Sequence, residues 1–127
     1  MLRLDNKGEG IASLNFDDPV ITKIQPSTLD YIVKEQQLLN TDLIKIDVRG
    51  AEHLVLQGGI ETLKITKLVY TEFSYKPLYQ KSSTFFDLYK FFYENNFILV
   101  NVSGGYSSPN SEILKGDALF VNKTLLN

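Results

Sequence analysis

A chain of 127 residues, 43% hydrophobic and 22% charged, has the length of one folded domain, and its seven Tyr and eight Phe can furnish a core. Thirteen Lys and Arg against fifteen Asp and Glu give a net charge of −2 without a basic cluster, which disfavours nucleic acid as a partner. The absence of cysteine excludes a disulfide framework and a thiolate metal centre, and no apolar run reaches the ~18–20 residues of a membrane span.

No apolar stretch follows Met1–Lys7 as it would in a signal peptide, so the expected location is the cytoplasm. Turn chemistry at Asn6-Lys7-Gly8 and Asp17-Asp18-Pro19 separates an Ile11–Phe16 run from a Val20–Gln25 run, whose alternation predicts a strand. Residues 1–26 therefore read as a hairpin-like N-terminal segment, and residues 27–127 as the α/β core of the same domain. Pro26-Ser27-Thr28 opens a helix, with Ser27 and Asp30 at capping-box spacing, that ends around Leu39–Asn40.

Leu43–Val48 reads as a short apolar strand running through Arg49-Gly50 into a second helix. There Ala51, Leu54, Val55, Gly58 and Thr62 keep the helical period. Gly58-Gly59 weakens that helix by about 1 kcal/mol per glycine, a cost that close packing would explain. Lys67–Phe73 is the next strand. Thr84 with Asp87 starts a helix continuing to Asn95-Asn96, whose Phe85, Phe86, Phe91, Phe92 and Tyr93 are assigned to the core. Phe97–Val102 is a strand, Ser103–Asn110 a loop and Ala118–Val121 the closing strand. Alternating strands and helices predict parallel pairing through right-handed crossovers. The last two strands have no helix between them and are predicted to be antiparallel.

Lys45-Ile46-Asp47-Val48-Arg49-Gly50-Ala51-Glu52 resembles, at seven of eight positions, the Lys-Ile-Asp-Val-Glu-Gly-Ala-Glu motif of the FkbM family of S-adenosylmethionine-dependent methyltransferases. Thr28-Leu29-Asp30, Asp42-Leu43-Ile44, Val55-Leu56-Gln57-Gly58, Glu72 with Pro77-Leu78-Tyr79, and Asp117–Val121 resemble its flanking segments in order and spacing. The resemblance implies part of a Rossmann-like class I methyltransferase sheet, namely the C-terminal, acceptor-side half, with parallel strands, flanking helices and a C-terminal hairpin. It implies O-methylation of a small hydroxyl-bearing, sugar-like acceptor with S-adenosylmethionine as cofactor. It also implies that the glycine-rich turn and the acid that grips the cofactor ribose lie before Met1, because Gly8-Glu9-Gly10 has no helix after it and reads as a turn. On that expectation the chain alone is inactive, binds the cofactor poorly and needs a complementing N-terminal half. The alternative is a non-catalytic remnant or interaction module that pairs with another chain, or with itself, through an open sheet edge at Leu43–Val48.

Open α/β sheets bind ligands beyond the carboxyl ends of their strands, where Asp47 and Glu72 fall. Both are candidate catalytic carboxylates, although Asp47 also suits a turn at a strand–helix junction. Glu72, late in an apolar strand, needs either a site role or a buried partner. Glu52 is a third candidate or a first-turn acid complementing the helix dipole. His53, Arg49 and Tyr79 are candidate acceptor contacts. His53 is the only histidine and a tempting base, yet its helical phase predicts a surface position. Arg49 stands where the family carries Glu, a reversal of charge beside the reaction centre. One histidine and no cysteine leave no metal-binding set.

Overall fold

The computed structural model describes residues 20–126. In chain order they form α1 (Leu29–Glu35), β1 (Thr41–Ile46), α2 (Glu52–Gln57), α3 (Ile60–Lys64), β2 (Thr66–Ser74), α4 (Phe85–Glu94), β3 (Phe97–Ser107) and β4 (Ile113–Asn122), then a 3-10 turn at Lys123–Leu125. The sheet order is β1-β2-β4-β3. β1 and β2 pair in parallel, and β4 is antiparallel to both β2 and β3. This is the mixed α/β sheet with a C-terminal antiparallel hairpin that the sequence predicts.

Strand alternation gives the sheet two unlike faces. Ile46, Val69, Phe73, Ala118 and Phe120 point to one side and are buried with Leu56, Leu63, Leu88 and Phe92 from the helices. Phe92 stacks on Phe120 with ring centroids 4.0 Å apart. On the opposite side, register aligns Tyr70 with Leu119 and Glu72 with Asp117. That side is wetter: Leu43 is 53% exposed, and Ile98 is exposed too.

Several expected boundaries move, each for a local reason. Residues 20–28 are exposed and form no strand, since the Val20–Gln25 alternation has no neighbouring strand to pair with among the described residues. Everything expected of residues 1–19, including the Ile11–Phe16 run and Gly8-Glu9-Gly10, lies outside the described residues. Thr28, not Ser27, caps α1 by accepting from the Tyr31 amide. That helix stops at Glu35, well before Leu39, because Gln37 takes a positive φ of 54°.

The predicted Ala51–Thr62 helix is two helices, broken at Gly58-Gly59. A Cβ at Gly58 would stand 3.2 Å from Thr28 Cβ, and one at Gly59 would stand 3.0 Å from Leu29 Cδ2. The glycines thus let the start of α1 approach the α2–α3 junction. Of the aromatics assigned to the core, Phe92 is buried and Phe85 and Phe91 are half-buried, whereas Phe86 (72% exposed) and Tyr93 (70%) face solvent. The Ser103–Asn110 loop is replaced over its first half by strand. β3 runs to Ser107 across irregularities at Gly104 and Gly105, whose positive φ lets the ladder resume after slipping register.

Candidate active site at the ends of β1 and β2

Beyond Ile46 the chain leaves the sheet through a tight turn in which Arg49 (φ 51°) and Gly50 (φ 97°) are both left-handed. Glycine is required at the second position. A Cβ on Gly50 would come within 2.7 Å of Ser82 Cβ and 3.5 Å of Tyr79 Cδ2. The 79–82 segment closes over this turn as a compact loop, with the Ser82 hydroxyl donating to the Tyr79 carbonyl at 2.8 Å. The Ser83 amide donates to the Gly50 carbonyl at 3.1 Å. Glu52, first residue of α2, is buried and folds its carboxylate back to accept from the Gly50 amide at 3.1 Å. The turn is therefore fixed from both sides.

Between this turn and the end of β2 lies a cleft of about 450 Å³. Asp47, Arg49, Glu52, Glu72 and Tyr79 all line it, so five of the six residues singled out from the sequence converge. Lys115 and Ser74 complete the sheet side, and Leu78 and Ser82 the loop side. A larger hollow of about 870 Å³ beside α1 has Glu35 as its single charged side chain, so the clustered chemistry lies in the smaller one.

Two residues that sequence reasoning did not select shape the site. Lys115 Nζ lies 3.7 Å from a Glu72 carboxylate oxygen, giving the half-buried acid a partner. Asp117 stands directly opposite Glu72 in the β2–β4 register, and both line a smaller adjoining hollow with Lys45 and Tyr70. Burial, followed by the Asp117 carboxylate, raises the Tyr70 phenol above its usual value, so it stays protonated. Extending the closing strand upstream at period two would have placed Lys115 and Asp117 on one face with Leu119.

His53 departs from both of its expected readings. It does not line the cleft, and it is half-buried instead of facing solvent, with Nδ1 enclosed and lacking a hydrogen-bond partner among the described residues. It borders a separate hollow with Asp87. Among the described residues no group of three or more His, Cys, Asp or Glu is placed to hold a metal ion, and no helix is long and apolar enough to cross a membrane.

The donor set of the cleft is acidic, with Asp47, Glu52 and Glu72 against Arg49 and Lys115. Carboxylates at strand ends suit a cationic group and sugar-type hydroxyls.

Comparison with known proteins identifies the family. The methyltransferase FkbM domain family matches residues 4–99. The chain is also similar to the 2-O-methyltransferase NoeI of Sinorhizobium fredii, 42% identical over 67 residues. The matched stretch covers 53% of this chain and 27% of that relative's length. No solved structure matches.

Proposed function

Since the chain belongs to the FkbM methyltransferase family, we propose that its 450 Å³ cleft is the acceptor side of an S-adenosylmethionine-dependent O-methyltransferase. The observation that carries this reading is the convergence of Asp47, Glu52, Glu72, Arg49 and Tyr79 on one cleft beyond the carboxyl ends of β1 and β2. The similarity to an O-methyltransferase supports hydroxyl oxygen as the acceptor atom. The acceptor class is a small, sugar-like molecule, and the proposed setting is the cytoplasm.

When bound, S-adenosylmethionine supplies an electrophilic methyl group, and the acidic lining of the cleft fits its positive charge. Glu72 accepts the proton of the acceptor hydroxyl, while Lys115 holds that carboxylate in place. Asp47, on the first residue past β1, faces the cleft beside it and stabilises positive charge there. Arg49, Tyr79 and the Ser82 side of the loop orient the acceptor. Glu52 acts mainly through the turn that it braces.

The test is transfer of labelled methyl from S-adenosylmethionine to a panel of polyhydroxylated acceptors, using the full polypeptide that carries this chain. Glu72→Gln and Asp47→Asn are each expected to lower the rate by roughly 10²–10⁴-fold, as loss of an acid–base group does. Arg49→Glu, which restores the family's residue, is expected to alter the acceptor KM more than kcat. Full activity in both carboxylate variants would sink the assignment.

A second reading, an interaction module without catalysis, draws on β1, which pairs with β2 and has no second neighbour among the described residues. Wild-type polypeptide that transfers no methyl yet copurifies with a partner bound through Thr41–Ile46 would favour it.

A further inference from the structure

Beside α2 and the start of α4 lies a second hollow of about 320 Å³, bordered by His53, Gln57, Lys81, Ser83, Asp87 and Phe91. Ser83 is only 6% exposed, and its hydroxyl oxygen is enclosed without any hydrogen-bond partner among the described residues. His53 Nδ1 is in the same condition. Buried polar atoms are nearly always paired, so two orphans on residues that border one hollow call for a partner, which each meets by turning its side chain into that hollow. One water needs only ~10–15 Å³ of such space, far less than this hollow offers.

The chemistry of the walls restricts what fits. Lys81 and Asp87 contribute one charge of each sign to its walls. Asp87 stays ionised at neutral pH: hydrogen bonds from the Thr84 amide and hydroxyl lower its pKa, with help from His53 and Lys90. An anion entering here would meet that carboxylate. An apolar guest would leave Ser83 and His53 unpaired. A hydroxyl both donates and accepts, so it can pair with the Ser83 hydroxyl and with a His53 ring nitrogen whether or not that nitrogen carries a proton. The Phe91 ring offers an apolar wall for C–H groups.

We propose that this hollow is a binding pocket for a neutral, hydroxyl-rich group of about sugar-ring size, held by His53, Ser83 and Gln57 against Phe91. It stands independently of the methyl-transfer reading. The two cavities nonetheless meet at Ser82, which lines both. Because the Ser83 amide also holds the Gly50 carbonyl, a guest here braces the turn that shapes the larger cleft.

The test is nuclear magnetic resonance titration of the full chain with methyl α-glucoside as the probe, and with inorganic phosphate in parallel. Saturable shifts are expected at the His53 imidazole and the Ser83 amide with millimolar glucoside, and none with phosphate. Ser83→Ala and His53→Phe are expected to weaken glucoside binding tenfold or more. Ser83→Ala removes a hydroxyl that no described residue uses, so its spectrum elsewhere should report an intact fold. Glu72→Gln, in the acidic cleft, should leave binding unchanged. Three results would overturn the proposal: no saturable shift, preference for phosphate, or binding lost in Glu72→Gln but retained in Ser83→Ala.

Discussion

Asp30 stands on α1 yet completes α3. Its carboxylate accepts from the Glu61 amide at 3.1 Å, and from the Thr62 amide and hydroxyl at 2.7 Å each. No side chain of the preceding residue can do this, because Gly59 occupies the cap position. Burial alone would raise the Asp30 pKa, but the Thr62 and Glu61 hydrogen bonds, with Lys64 nearby, outweigh it and lower the pKa below 3.8. A lowered folded-state pKa means the stabilisation is complete above the unfolded value and is lost as pH falls through the folded one. Urea denaturation should therefore show wild-type stability declining below pH 3.8, with that component absent in Asp30→Asn. At neutral pH, Asp30→Ala is expected to cost about 2 kcal/mol, the scale of a lost charge-assisted cap. A pH profile identical in wild type and Asp30→Asn would refute the bridging role.

Asn122 performs a comparable task between elements. Buried at the end of β4, its amide donates to the Leu63 carbonyl at 3.1 Å and the Thr66 carbonyl at 3.0 Å, and its oxygen accepts from the Thr124 amide at 2.9 Å. It thus joins the last turn of α3, the first residue of β2 and the 3-10 turn. Asn122→Ala should destabilise by about 2–3 kcal/mol, since it leaves buried carbonyls unpaired. Asn122→Asp should cost more in thermal denaturation, because it presents a carboxylate to two carbonyl oxygens.

Nothing in the local sequence announces that role: the residue reads as turn chemistry after Val121. The elements that were legible have strong local patterns, such as the apolar runs of β1 and β2 and the Thr84–Asp87 capping box, which is formed in full. Asp47 and Glu72 could be placed because strand ends follow from those runs. Lys115 and Asp117 do not stand out as site residues because Lys115-Gly116-Asp117 interrupts the apolar pattern of β4, and the pairing of that strand with β2 is a long-range fact. His53 was misjudged for a related reason. Helical phase orients a side chain about its own axis and says nothing of the α4 start that encloses it.

At the scale of the molecule, among the described residues the sheet has one packed face and one open face, and β1 forms an edge. Exposed Leu43 lies on that edge. Unpaired backbone beside apolar side chains invites pairing with a second copy. Sedimentation of the purified chain is expected to show concentration-dependent association, reduced by Leu43→Lys. A strictly monomeric wild type would dismiss self-pairing through this strand.

The strand order β1-β2-β4-β3 also sets a timetable for synthesis. β4 lies between β2 and β3 and is the last strand to be translated. Until β4 is in place, β3 has no ladder to join, and Phe73 and Val69 lack the Phe120 and Ala118 that flank them in the finished sheet. Without β4 only the β1–β2 pair of the sheet can form, and the last strand made completes the pairing on both of its sides at once.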